Sequence, residues 1–237
     1  MNIQHTHDHQ TEPGKTGHRH KTTTRQGGII NIPAWSYDFM VQWIVMRGRE
    51  RAFREKIADM VRLQPGESVL DVGCGTGTLA ITAKERVGKT GRVAGIDPSG
   101  QLINGARRKA AHRNLTIDFE IAGIEQLNYP DRSFDVVLST FMMHHLQGDL
   151  KRQGLAEVAR VLKPEGRLLI VDFKSPAGMI ILDEKTDDQS AFMKQLGYSQ
   201  IETGDIAFKV RSLGAKKAGH QEVGYVLAQT SAETTRS

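Results

Sequence analysis

Cysteine is nearly absent: Cys74 is the single one in 237 residues, which excludes an intrachain disulfide framework and a cysteine-rich zinc site. No apolar run reaches the ~18 uncharged residues that a membrane-spanning helix needs, and the N-terminus carries histidines and polar residues where a secretory leader requires an apolar stretch. These absences lead to the expectation of a cytoplasmic protein without a membrane span. Acidic side chains are outnumbered 27 to 32, giving a formal charge of +5 and a pI near 9.3. That surplus fits either a nucleic-acid partner or a solvated surface. The length suits one domain with a sizeable core, as a monomer or homodimer.

Residues 1–28 stand apart, because they hold five of the nine histidines (His5, His7, His9, His18, His20) and no apolar residue after Ile3. Such a stretch cannot build a core. It reads as a solvated tail, and metal capture by the alternating His5, His7 and His9 is the sharper alternative. Lys15, Arg19, Lys21 and Arg25 against Asp8 and Glu12 place +2 of the net charge in this tail. Residues 29–64 read as an N-terminal helical cap, since Phe39, Trp43, Met46, Phe53, Ile57 and Met60 recur mostly at spacings of three and four, with an interruption near Gly48.

From residue 65 to 237 the pattern alternates. Strands are expected at Ser68 to Val72, Arg92 to Asp97, Leu115 to Ile121, Phe134 to Thr140 and Gly166 to Phe173. Helices are expected from the glycine turn to about Val87, from Ser99, over 149–162 and from Gln189 to Leu196, the last closed by Gly197. Two further strands, Ile201 to Val210 and Val223 to Gln229, lack a helix between them and should pair antiparallel at the sheet edge. The whole reads as α/β: a doubly wound, mostly parallel seven-stranded sheet with an antiparallel edge strand.

The first strand opens into Gly73-Cys74-Gly75-Thr76-Gly77. Glycines let the chain turn tightly there, and let a ligand approach backbone N–H groups at a helix N-terminus. Asp97 ends the second strand, where a carboxylate can accept bonds from both hydroxyls of an adenosine ribose. The spacing is G-x-G-x-G, with Thr78 where a dinucleotide fingerprint has its third glycine. Asp71, just before the loop, would repel a pyrophosphate and attract an ammonium or sulfonium. Bracing the loop N–H groups is the other role open to Asp71.

The segment Val69-Leu70-Asp71-Val72-Gly73-Cys74-Gly75-Thr76-Gly77 resembles the first motif of the class I S-adenosylmethionine-dependent methyltransferases. Gly95-Ile96-Asp97-Pro98-Ser99 is similar to their ribose-binding strand end, Phe134 to Ser139 to their fourth strand, and Arg160 to Arg167 to the approach to their fifth. His144-His145-Leu146 resembles the small-molecule branch that includes the ubiquinone and menaquinone biosynthesis methylases. The resemblance implies a Rossmann-like methyltransferase fold, S-adenosyl-L-methionine as cofactor and S-adenosyl-L-homocysteine as product. In that branch an acidic residue after the third strand bonds the adenine amine. Here Gly123 stands at that position, which leaves adenine to Ile124 and backbone groups, with Glu125 as a further candidate. The long insertion that the quinone methylases carry after the fifth strand is also missing, so cover for the pocket must come mainly from the N-terminal helices.

By this reading the cofactor is held by Tyr37, Asp71, Gly73, Cys74, Gly75, Gly77, Asp97, Pro98, Gly123, Ile124, Glu125, Ser139 and Thr140. Trp35, Phe39, Trp43, Phe141, Met142, His144 and Asp172 would line the acceptor pocket. Methyl transfer from a sulfonium is an in-line displacement, so the protein supplies orientation and exclusion of water. A base is needed only where the acceptor loses a proton, and His145 is the preferred candidate; ordinary packing of both histidines is the alternative. Cys74 has no neighbouring base in sequence and reads as filler, and one cysteine excludes a thiol-cluster mechanism. No metal site is expected. The expected partner is a small-molecule acceptor with the methylated atom open. Nucleic acid is disfavoured: Ser139-Thr140-Phe141-Met142 lacks the acid or amide followed by two prolines of amino-directed nucleic-acid enzymes, and Glu50, Glu55 and Asp59 interleave Arg47, Arg49, Arg51 and Arg54. An RNA or protein methyltransferase and a non-catalytic cofactor-binding protein stay as alternatives.

Overall fold

The computed structural model describes residues 48–174, 189–211 and 220–232. The tail and most of the expected cap, with Trp35, Tyr37, Phe39 and Trp43, lie outside the described residues. Gly48, at φ 77°, precedes α1 (Glu50–Met60), where the sequence predicts an interruption. Helix α1 buries Phe53, Ile57 and Ala58 on one face.

The order is then β1 (Ser68–Val72), α2 (Thr78–Val87), β2 (Arg92–Asp97), α3 (Gly100–His112), β3 (Asp118–Ile121), β4 (Phe134–Thr140), a 3₁₀ turn (Met143–His145), α4 (Gly148–Val161), β5 (Leu162–Phe173), α5 (Gln189–Gln195), β6 (Tyr198–Arg211) and β7 (His220–Thr230). Seven strands form one sheet in the order β3-β2-β1-β4-β5-β7-β6. The pairs β1–β2, β1–β4, β2–β3 and β4–β5 are parallel, whereas β7 pairs antiparallel with both β5 and β6. The antiparallel pairing at that edge is as expected. More specifically, β6 is the edge strand, and β7 is the reversed strand seated inside it.

Alternation along the strands sends Val69, Val136 and Leu138 into one core, beneath α1, α2 and α3, and Leu70, Val72, Phe134 and Val137 into the other, beneath α4 and α5. Asp71 shares the parity of Val69. Boundaries differ from the sequence reading at β3, which starts at Asp118, and at β5, which starts at Leu162 directly after α4. A register shift between Phe134 and Val136 on β4 lets the stretch before Gly166 join the sheet. Strand order reverses between β1 and β4, and it is there, beyond the C-terminal strand ends, that such a sheet receives its ligand.

Candidate active site

The glycine turn after β1 runs through Gly73 (φ 72°), Gly75 (φ 55°) and Gly77 (φ 74°), backbone that residues with a Cβ rarely adopt. The Gly73 and Cys74 amides both donate to the Ile96 carbonyl at 2.9 Å, Gly77 donates to the Cys74 carbonyl at 2.9 Å, and Gly75 donates to Asp97 Oδ2 at 3.0 Å. The sequence reading expects a ligand to approach loop N–H groups. These four are instead occupied within the protein, because the loop folds onto the end of β2. A pyrophosphate would find none of them available. Lys109 Nζ, from α3, clamps the loop through Thr76 Oγ1 at 2.9 Å and Thr78 Oγ1 at 3.1 Å.

Asp97 Oδ1 accepts from the Ser99 amide at 2.8 Å, and Ser99 Oγ in turn caps α3 by accepting from the Leu102 amide. Each Asp97 oxygen thus accepts from one backbone amide, so lone pairs remain for a ribose diol. Burial pushes the Asp97 carboxyl up, and the Ser99 and Gly75 amides oppose it.

Asp71 is 1% exposed, and neither carboxylate oxygen has a hydrogen bond of ordinary geometry. The role of bracing the loop amides is therefore not the one it plays. Burial pushes its pKa up to about 7; the Arg54 charge and the Ala80 backbone N–H pull it down, and Asp97 adds to the rise. A buried carboxylate left in this state fits a cationic ligand group, which would supply its counter-charge.

Arg54 is the residue that sequence reasoning assigns to a solvated helix face. Its side chain is 12% exposed, and Nη1 donates to Thr140 Oγ1 at 2.9 Å at the end of β4, while Nη2 lies 3.5 Å from Glu50. The helix pattern hides this because Glu50 stands at the i−4 position of an ordinary surface pair. The rest of α1 behaves as expected, with Arg86 pairing to Glu55 and to Asp59 at 2.9 Å.

A cavity opens at the C-terminal ends of β1, β2 and β4. Gly73, Asp97, Pro98, Gly123, Ile124 and Glu125 line one part, and Thr140, Phe141, Met142 and His145 line another. Val72, Ile96, Leu102, Ala122, Leu146 and Leu150 complete it, none of them among the residues that the sequence assigns to cofactor or acceptor. Asp71, Cys74, Gly75, Gly77 and Ser139 lie outside this lining, as do His144 and Asp172. Cys74 Sγ packs near Gly95, and burial, then the Asp71 and Asp97 charges, push its thiol well above the usual range, which agrees with a filler. A Cβ on Gly73 would collide with Met142, and one on Gly77 with Phe119 and Ala106, so neighbouring side chains as well as turn geometry demand glycine at both positions.

Gly123 carries the most informative collision. A Cβ built there would run into the Glu125 carboxylate, with Cδ and Oε1 each 2.6 Å away. Glu125 therefore folds back into the space that a side chain at position 123 would fill.

At the other rim, the chain leaves β4 through Phe141 (φ 54°) into the 3₁₀ turn. Phe141 stacks on Phe53 of α1 with centroids 5.5 Å apart and meets Phe173 at 5.0 Å. His144 Nδ1 lies 2.7 Å from Asp172 Oδ1, and its backbone N–H donates to Oδ2 at 3.1 Å. The His144 and His145 rings lie 3.9 Å apart. Partial burial lowers the His145 pKa, His144 lowers it further and Asp172 opposes, which favours a neutral imidazole in the cavity wall. No group of three or more metal-ligating side chains occurs among the described residues.

The family model described as a methyltransferase domain matches residues 69–166. The chain is 32% identical over 148 residues to the ubiquinone/menaquinone biosynthesis C-methyltransferase of Hydrogenovibrio crunogenus, a match covering 62% of this chain and 57% of that enzyme. It is 32% identical over 156 residues to the 2-phytyl-1,4-naphtoquinone methyltransferase of a Nostoc species, covering 65% of this chain and 67% of that one. The chain thus spans little more than half the length of the first of these. Among solved structures, geranyl diphosphate C-methyltransferase from Streptomyces coelicolor superposes with a TM-score of 0.63 at 15% identity, covering 76% of this chain and 79% of that one, a likeness of fold. With the strand order, the loop closed against phosphate and Asp97 at the cavity wall, these matches establish that the chain belongs to the class I S-adenosylmethionine-dependent methyltransferases.

Proposed function

We propose that the protein transfers the methyl group of S-adenosyl-L-methionine to a small-molecule acceptor and releases S-adenosyl-L-homocysteine. The observation that carries this is the pairing of Asp97, a cavity-wall carboxylate with lone pairs to spare, with the buried, unpartnered Asp71. Asp97 holds the ribose hydroxyls, and Asp71 faces the cationic amino-acid end. Glu125 takes the place of the acid missing at Gly123 and accepts from the adenine amine, while Ile124 and Leu102 cover the ring. Gly73, Pro98 and Thr140 complete the cofactor wall, and Arg54, held at Thr140, supplies a cation for the ligand carboxylate. Phe141, Met142 and His145 present the acceptor. The bound cofactor supplies the activated methyl and its leaving group; the chain's residues orient it and exclude water.

Residues 65–237 form the methyltransferase domain in this reading. Residues 29–64 cover the pocket, with Trp35, Tyr37, Phe39 and Trp43 on the covering segment, and residues 1–28 are a tail. Ion pairing and other polar bonds of Arg54, Arg86, Arg92, Arg107 and Arg113 support a small molecule over nucleic acid as partner. The single cysteine suits the cytoplasm, and no described helix is long and apolar enough to cross a membrane.

Calorimetry with S-adenosyl-L-methionine and S-adenosyl-L-homocysteine tests the site, with Asp97→Ala abolishing the binding. Methyl release measured across phenols, quinols, thiols and amines tests the acceptor class. Product formation confined to RNA or protein overturns the small-molecule reading.

A further inference from the structure

Helix α4 (Gly148–Val161) carries a glycine in its interior, Gly154, where alanine would favour the helix more. What demands glycine there is a neighbour outside the helix. A Cβ at position 154 would stand 2.8 Å from both Cγ1 and Cγ2 of Ile124 and 2.9 Å from its Cδ1. Ile124 lines the cavity and is 5% exposed. Both branches of its side chain lie against Gly154, so every staggered rotation about its Cα–Cβ bond leaves at least one branch in that space. The same stripe of α4 holds the rest of the loop. Gln153 Nε2 donates to the Glu125 carbonyl at 3.0 Å, and Glu157 Oε2 accepts from the Leu127 amide at 2.9 Å. Arg160 donates from Nη2 to the Leu127 carbonyl and from Nη1 to the Tyr129 carbonyl, each at 2.9 Å. Positions 153, 157 and 160 follow one another at helical spacings of four and three, so one face of α4 meets residues 124–129 along their length. Ile124 is thus seated in the space of one missing side chain, at Gly154, and the Glu125 carboxylate in the space of another, at Gly123.

We propose that Gln153 and Gly154 of α4 are the positioning residues of the purine subsite: Gly154 sets how far Ile124 stands from the ring, and Gln153 sets which purine the Glu125 carboxylate selects. The proposal rests on the methyl-transfer reading, in which Ile124 covers the adenine ring and Glu125 accepts from its amine. Neither α4 residue touches the cofactor; both act through the loop they hold. A side chain at 154 has Ile124 in its way and drives it toward the purine, which closes the subsite to any base. Loss of the Gln153 bond frees the Glu125 backbone, and the carboxylate then no longer stands opposite the 6-position of the purine. An ionised carboxylate only accepts, so a correctly held Glu125 favours a 6-amino purine, which donates, over a 6-oxo purine, whose oxygen repels it. Depth and choice of base are therefore set by two adjacent residues and can be separated by experiment.

Calorimetry with S-adenosyl-L-homocysteine and S-inosyl-L-homocysteine, which carries oxygen in place of the 6-amino group, tests both parts. Gly154→Ala should weaken binding of the adenosyl ligand by about tenfold or more, the cost of adding a methyl group to a filled space. Gly154→Ala/Ile124→Ala returns that space, so the double variant should bind better than Gly154→Ala and match Ile124→Ala alone. Gln153 is exposed, so Gln153→Ala leaves the fold intact and carries its part of the test independently. It should narrow the preference for the adenosyl over the inosyl ligand by about fivefold, the loss of one ordinary hydrogen bond acting through Glu125. A purely structural role of these residues would lower the denaturant midpoint and leave that preference untouched. Undiminished binding by Gly154→Ala, a double variant no better than Gly154→Ala, or an unchanged preference in Gln153→Ala overturns the proposal. So does an unaltered protein that binds the two ligands equally. Failure of the unaltered protein to bind either ligand instead removes the underlying methyl-transfer reading.

Discussion

The Arg54 guanidinium donates to the Thr140 hydroxyl at 2.9 Å across 86 residues of sequence, tying α1 to the end of β4. The same guanidinium is the largest influence opposing the rise in the Asp71 pKa. Arg54→Met should therefore move the pH midpoint of S-adenosyl-L-homocysteine binding upward and weaken the binding at pH 7. A calorimetric pH series checks both, and an unmoved midpoint would separate Arg54 from Asp71.

Asp71 links cofactor binding to protons. Its pKa is raised from 3.8 to about 7, so between those values the folded protein holds a proton that the unfolded chain releases. The contribution of Asp71 to stability thus falls as pH rises through that window. A cationic ligand favours the ionised form, so affinity should rise as pH climbs through 7, with proton release visible as a buffer-dependent binding heat. Asp71→Asn should remove this release, weaken binding about tenfold or more, roughly 1.4 kcal/mol, and leave the ligand-free protein at least as stable at pH 8.

The Gly123 and Glu125 arrangement predicts a swap. Glu125→Ala should weaken cofactor binding by about 1.5–3 kcal/mol, the range for a hydrogen bond to a charged group. Gly123→Asp alone collides with the Glu125 carboxylate and should also bind poorly. Joining the two restores an acid to the same space, so the double variant should bind better than either single one. Equal losses that add would show that Glu125 does not contact adenine.

Phe53 is 1% exposed and stacks on Phe141 at the pocket rim. Phe53→Ala should cost about 3–5 kcal/mol of stability, read as a lower denaturant midpoint with an unchanged slope. Cofactor should recover part of the loss by binding only the folded state.

Much of the scaffold was legible in sequence because its signals are local. The glycine spacing, the apolar runs of β1 and β4, and Asp97 closing β2 each lie within a few residues of what they position. Arg54 was not legible, since Glu50, Glu55 and Asp59 around it form the pattern of a surface helix, and its partner Thr140 becomes a neighbour only when α1 packs on the sheet. The His144 and Asp172 contact depends on the alignment of β4 with β5, where Thr140 faces Val171. Both residues stood out as candidates, but their pairing follows from that alignment. The occupied loop amides were hidden for a different reason: glycine composition shows that a turn can admit a ligand, and says nothing of which acceptors the fold brings to it.

Strand β7 has a consequence for how the molecule is made. It is translated after every other strand described, yet it lies between β5 and β6 and pairs with both. While β1 to β6 are emerging from a ribosome, β5 has one open edge and β6 has no neighbour to join. Strands β1 to β5 and the cavity above them can assemble first. Closure of the far side waits for the arrival of Val223 to Gln229, so a stalled nascent chain would expose the β5 edge to other chains.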